Sequence, residues 1–167
     1  SGDYRDGDPF YRCDPVCGLS ADAAVIDAAY GGDLSGGVLR DRVLKRIFEL
    51  FRAGHSVLLP VPKNGRGFSL AAALWERGGD RIPLFMSSRM LLDWQTISGN
   101  GYFCRPEIQD MPVSAIRCWD GRTVAEGIYL LPDAQMSAAG SRALADRYPQ
   151  TAILFTGSPH GYGRSGE

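Results

Sequence analysis

The sequence predicts an α/β domain in which helices cover both faces of a mostly parallel sheet, in a Rossmann-like three-layer arrangement. Short apolar runs alternate with amphipathic segments, as in chains that build parallel sheets. The runs at 57–61 and 151–155 are apolar at successive positions, which is typical of parallel strands buried on both faces. The 167 residues fit one domain, since domains hold roughly 100–200 residues.

The first half of the chain is predicted to begin as a coil and then to alternate strand and helix. Residues 1–20 are rich in turn formers and show no apolar period. The apolar run at 23–30 predicts a buried strand, and the helical spacing of apolar residues over 36–53 predicts an amphipathic helix. A strand at 56–61 and a helix at 68–77 follow.

The second half of the chain is predicted to contain a further strand, a helix, a long loop, two paired strands, a helix and a last strand. The strand is expected at 82–86, the helix from Ser87 or Ser88 to Ile97, and the loop at 98–112. The paired strands are expected at 114–119 and 122–132, the next helix from Ser137 or Ser141 to Tyr148, and the last strand at 151–156. The dipeptide Asp120-Gly121 is a strong signal for a two-residue turn, so we expect the strands on either side of it to pair as a hairpin.

Composition argues against several classes of protein. The net charge of the chain is −1, whereas a strongly basic nucleic-acid module is positively charged and has a pI above about 9. No window approaches the ~18 apolar residues of a membrane span, and the polar, acidic start is not a targeting peptide, so we expect a cytoplasmic protein. With two His in the chain, a multi-His metal centre cannot be assembled from it alone. Cys13 and Cys17 have no matching second pair, and free thiols are expected.

Polar residues follow three of the predicted strands, where open α/β sheets bind their ligands. After the strand at 56–61 comes a basic, glycine-containing turn, Lys63 to Gly67, that precedes a helix and suits an anion. An ordinary loop explains that pattern equally well. Aromatic side chains could stack on nucleobases or pack in the core: Trp75, Trp94, Trp119, Tyr102 and Phe103.

Five segments carry a resemblance that extends over nearly the whole chain: SGDY at 1–4, AAVIDAAYG at 23–31, VLLPVPKNGR at 57–66, YLLP through Met136 and Gly140 at 129–140, and AILFTG at 152–157. Together they resemble the β-CASP domain of metallo-β-lactamase-fold nucleases. The chain departs from that pattern where Gln-Glu normally follows the Gly-Arg, where Ala134-Gln135-Met136 replaces Ser-Gly-Met, and in lacking the motif His-x-His-x-Asp-His.

The resemblance implies roles for particular residues. Asp3 corresponds to a metal ligand that bridges two zinc ions, and Asp27 to an acidic catalytic residue that orients a His of the parent protein. The segments that follow the predicted strands at 56–61 and 122–132 would hold nucleic acid. The residues concerned are Lys63, Asn64, Gly65, Arg66, Met136 and Ser137.

The resemblance also implies that the chain is a fragment of a larger zinc-dependent hydrolase that acts on RNA. Residues 1–20 would be a linker left from the metallo-β-lactamase domain, and 21–167 the β-CASP domain. Zinc would belong to the parent protein only, and the fragment itself would be inactive. Its partners would be RNA or another single-stranded nucleic acid and the metallo-β-lactamase domain of the same chain, with oligomerisation left open.

Two alternatives stay open at this stage. The chain could be a non-catalytic binding or scaffold module from a degenerate family member, which the departures from the pattern favour. It could also be a stand-alone α/β enzyme that binds a nucleotide at the Lys63 turn, although it carries neither a Walker motif nor a dinucleotide fingerprint.

Overall fold

Five parallel strands form the sheet of this protein, for which a computed structural model describes residues 7–13, 18, 20–23, 36–122, 125–132, 142, 144–146 and 150–156. The strands are β1 (Val57–Pro60), β2 (Leu84–Ser87), β3 (Ile116–Trp119), β4 (Ile128–Leu131) and β5 (Ala152–Ile153). Their order across the sheet is β3-β2-β4-β1-β5. The predicted α/β class with a parallel sheet is thereby confirmed.

The helices lie close to where the apolar periodicity places them. They are α1 (Gly36–Arg52), α2 (Arg66–Gly78), α3 (Ser88–Ser98) and the short α4 (Pro106–Gln109). Ser87, one of the two serines predicted to cap this helix, is the N-cap of α3, and its Oγ accepts a hydrogen bond from the Met90 N–H at 3.4 Å. Two boundaries differ: α2 begins at Arg66, earlier than predicted, and α4 lies in a stretch predicted as loop, with proline favouring the start of a helix there.

Successive residues of the central strands point to opposite faces and enter two separate cores. On β1, Val57 and Leu59 pack with side chains of α1, α2 and α3, whereas Leu58 packs on the other face with Leu144. The strands β2 and β4 alternate in the same way. The sheet is therefore the middle of three layers, and its apolar strands are buried on both sides.

The predicted hairpin around Asp120-Gly121 is wrong. β3 pairs with β2, β4 pairs with β1 and β2, and all of these pairings are parallel, so β2 lies between the two strands. The turn signal itself holds, since Gly121 has a φ of +81° and the Asp120 carboxylate accepts the Arg122 N–H at 2.8 Å. The dipeptide determines the turn locally, but it does not determine which strands pair. Both β3 and β4 pair with β2 instead of with each other.

Other predicted elements are only partly described. β5 is shorter than the strand predicted at 151–156. Residues 142 and 144–146 are helical and belong to the helix predicted to end at Tyr148. The strand predicted at 23–30 falls on positions of which only residue 23 is described.

The segment 7–13 packs against the domain and contains one isolated bridge, between Tyr11 and Cys104. Phe10 is fully buried, with its ring 5.2 Å from that of Phe68 and 4.5 Å from that of Trp94. Within the described residues, none of the helices is long and apolar enough to cross a membrane.

Candidate functional site

The carboxyl ends of the parallel strands β1 and β4 lie side by side at one edge of the sheet. The two strands are neighbours, and the Val61 N–H donates to the Leu131 carbonyl at 3.0 Å just beyond them. After β1 the chain enters α2 on one face, whereas after β4 it reaches Leu144 on the other face. Where neighbouring strands send the chain in opposite directions, the loops part and leave a ligand crevice.

Four of the residues predicted to bind nucleic acid follow β1 directly, at its carboxyl end. Lys63, Asn64 and Arg66 are exposed and Gly65 is half-buried, and we call residues 63–66 the basic loop. Arg66 is the first residue of α2, so its charge stands at the helix end where the peptide dipoles already favour an anion.

A second positive group faces the basic loop from the end of β2. The Lys63 Nζ lies 2.8 Å from Asp93 Oδ2, and the Arg89 Nε lies 3.8 Å from Asp93 Oδ1. The contact with Lys63 is close but not aligned as a hydrogen bond, so it is an ion pair in which Oδ2 keeps its acceptor capacity. Two cationic side chains, Lys63 and Arg89, thus share one carboxylate, and this cluster keeps an excess of positive charge.

Two glycines are required for the shape of this loop. Gly65 has a φ of +65° and a ψ of −113°, a backbone conformation that residues with a Cβ rarely adopt. At Gly67 a Cβ would lie 2.6 Å from the Pro62 carbonyl oxygen and 2.7 Å from the Met90 Cε. Gly65 therefore allows the turn, and Gly67 allows α2 to start close against the end of β1.

Residues 8–12, which we call the N-terminal clamp, form hydrogen bonds that hold the basic loop and the first turn of α2. The Asp8 carboxylate is 7% exposed and accepts hydrogen bonds from the Ser69 hydroxyl at 2.7 Å and from the Phe10 N–H at 2.8 Å. The Tyr11 hydroxyl accepts the Gly65 N–H at 2.9 Å. The clamp thus joins the first turn of α2 to the basic loop.

Burial raises the pKa of Tyr11 above its ordinary value of 10.0, the Gly65 N–H lowers it, and the charge of Asp8 raises it further. Desolvation and a neighbouring carboxylate both disfavour a phenolate. The hydroxyl is therefore neutral at physiological pH and serves as an acceptor for the loop amide.

Sequence reasoning missed the parts of the site that come from distant segments. The clamp residues Asp8 and Tyr11 meet partners more than 50 residues further along the chain, and no local pattern indicates such contacts. The pair Arg89 and Asp93 does leave a weak signal, since opposite charges four residues apart on a helix lie on one face.

Four predicted site residues lie outside the part of the chain that the structure describes: Asp3, Asp27, Met136 and Ser137. Among the described residues, no group of three or more His, Cys, Asp or Glu side chains could hold a metal ion.

Comparisons with models of protein families, with curated proteins and with solved structures give no match to this chain.

Proposed function

We propose that this chain is the nucleic-acid-binding β-CASP domain of a zinc-dependent metallo-β-lactamase-fold nuclease that acts on RNA. The basic loop holds the phosphate backbone of the bound strand. The metal ions belong to another part of the parent protein, and the domain by itself cuts nothing.

The observation that carries this proposal is the position of Lys63 and Arg66. Both are exposed just beyond the carboxyl end of β1, and Arg89, which shares Asp93 with Lys63, adds a third cation. A net charge of −1 for the whole chain means that phosphate affinity has to come from such a local cluster. Contacts of this kind fix a strand in place but do not read its bases, so we expect little sequence preference.

The direct experiment measures the affinity of the domain for a fluorescein-labelled single-stranded RNA by anisotropy at several salt concentrations. We expect Lys63→Ala/Arg66→Ala to weaken binding. Because each phosphate contact to a single strand adds about 0.7 to the slope of log affinity against log salt, the slope should fall by about 1.4.

The matched control removes two cations from the opposite edge of the sheet. Arg52 ends α1 shortly before β1 and Arg81 lies just before β2, and both are exposed. Arg52→Ala/Arg81→Ala should leave the slope unchanged. Equal losses in the two double variants would mean that binding follows overall charge and would contradict the proposed site.

A second function, a non-catalytic binding module from a degenerate family member, is favoured by one observation. The chain lacks the Gln-Glu that normally follows the Gly-Arg, and the residues after Arg66 serve packing instead: Phe68 is fully buried and Ser69 bonds to Asp8. Both functions predict RNA binding by the basic loop. Metal analysis of the purified parent protein separates them, because the nuclease would retain zinc and the degenerate module would not.

A further inference from the structure

Two neighbouring aromatic side chains stand in solvent near the proposed site. Tyr102 is 76% exposed and Phe103 52% exposed, while the next residue, Cys104, is fully buried. The two rings meet edge to face, with centroids 5.3 Å apart and an angle of 90° between their planes. Burying rings of this size is favourable, so a ligand that covers this exposed apolar pair would gain binding free energy.

The backbone beneath these rings is held in place. The Tyr102 N–H donates to Asn100 Oδ1 and the Phe103 N–H to the Asn100 carbonyl, each at 3.0 Å. From the other side, the Arg12 N–H donates to the Phe103 carbonyl at 3.0 Å. The rings thus project from a loop with a defined shape, which lowers the entropy cost of binding to them.

The aromatic pair is connected to the basic loop through the N-terminal clamp. Tyr11 is bridged to Cys104 through its backbone, and its hydroxyl accepts the Gly65 N–H. Bridged residues lie about 5 Å apart and successive Cα atoms 3.8 Å apart, so the Phe103 Cα lies within about 10 Å of the Tyr11 Cα. The Tyr11 side chain spans the remaining distance to the Gly65 N–H, so a single strand of several nucleotides is long enough to contact both the basic loop and the rings.

The three tryptophans are less available. Trp94 is 5% exposed and belongs to the core, and Trp75 and Trp119 are half-buried. Within the part of the chain that the structure describes, the other large apolar side chains that are more than half exposed are aliphatic, Leu92 and Val113. Of the aromatic side chains that the structure describes, Tyr102 and Phe103 are the most exposed, and bases stack on aromatic rings that are open in this way.

We propose that Tyr102 and Phe103 form a stacking site for unpaired nucleobases of the strand whose phosphates the basic loop holds. This inference rests on the proposed function. Stacking on aromatic side chains tolerates every base, so the site adds affinity without adding sequence preference. A duplex keeps its bases paired and does not reach the rings in this way.

The test compares two labelled single-stranded oligonucleotides of equal length, one with all its bases and one abasic over its central half. The double variant Tyr102→Ala/Phe103→Ala should bind the base-containing strand at least about 5-fold more weakly than the native domain does. Its affinity for the abasic strand should be unchanged. The conservative exchange Tyr102→Phe/Phe103→Tyr retains both rings and should retain the native affinity.

The control variant Leu92→Ala/Val113→Ala removes exposed apolar side chains outside the aromatic pair and should bind both strands as the native domain does. Equal weakening of both strands by the alanine exchange at 102 and 103 would overturn the stacking site, and so would no weakening at all. If the native domain bound neither strand, the proposed function itself would fail. The failure of the subsite and the failure of the function are thus distinguishable.

Discussion

Asp93 determines how much positive charge the basic loop presents to an anion. Its carboxylate lies 2.8 Å from the Lys63 Nζ and 3.8 Å from the Arg89 Nε, so it neutralises part of the positive charge that these two side chains carry. The pair is partly exposed, and such pairs contribute little to folding, about 0.2–1 kcal/mol. The effect of Asp93 should therefore be larger on binding than on stability.

The exchange Asp93→Asn should tighten RNA binding by about 1.5- to 5-fold, which is the value of a partly exposed ion pair that no longer competes. Anisotropy titration measures this directly. Glu49→Gln on α1 makes the same charge change at another exposed ion pair, with Arg46, and serves as control. Weaker binding by Asp93→Asn would show that the carboxylate positions Lys63 for its ligand instead of competing with it.

Among the elements, the N-terminal clamp is what gives the β1–α2 turn its shape. The loop has no side-chain cap on α2, since Gly65 occupies the cap position. The Tyr11 hydroxyl and the Asp8 carboxylate provide bonds to the loop and to the first turn of α2 from a segment far away in the sequence. The conformation of the basic loop thus depends on a segment outside the β1–α2 unit.

Tyr11→Phe should lower the free energy of unfolding by about 0.5–1.5 kcal/mol, the net value of one hydrogen bond. RNA binding should weaken as well, because the Gly65 amide is no longer held. Chemical denaturation and anisotropy measure the two effects. Tyr102→Phe removes the hydroxyl of a tyrosine that is 76% exposed and should change neither, so equal effects of the two exchanges would argue against the clamp.

The raised pKa of Tyr11, caused mainly by burial, predicts a pH dependence of stability. The folded state binds this proton more tightly than the unfolded state, so the contribution is complete below pH 10.0 and is lost as the pH rises through the folded pKa above that value. The difference in unfolding free energy between the native protein and Tyr11→Phe should therefore shrink in alkaline solution. A difference that grows with pH would contradict this sign.

For the molecule as a whole, the segment 7–13 contributes to the folded core through Phe10. The ring of Phe10 completes an aromatic group with Phe68 and Trp94, which joins the first turn of α2 to the middle of α3. Removing that ring would open a cavity between two helices on one face of the sheet.

Phe10→Ala should lower the free energy of unfolding by about 3–5 kcal/mol, the cost of truncating a buried phenylalanine. Phe103→Ala is the matched control, because that side chain is 52% exposed and the exchange should cost less than about 0.5 kcal/mol. Denaturation followed by tryptophan fluorescence measures both. A small effect at Phe10 would mean that the segment is a dispensable linker.

The parts of the fold and of the site that could be predicted are those with a signal in the local sequence. The helices at 36–52 and 88–98 follow from apolar spacing, and the basic loop follows from its residues alone. The strand order could not be predicted, because β2 enters between β3 and β4 through contacts that span much of the chain. The clamp was missed for the same reason, since Asp8 and Tyr11 find their partners across the whole of α1 and β1.

Amide chemical shifts on titration with a short single-stranded RNA would show whether the phosphate backbone binds at the carboxyl ends of β1 and β4, as we propose. We expect the largest shifts at residues 63–67 and at Arg89, with smaller ones at 102–103. The amides near Arg52 and Arg81, at the opposite edge of the sheet, should not move. Shifts confined to that opposite edge, or no shifts at a saturating concentration of RNA, would contradict the claim.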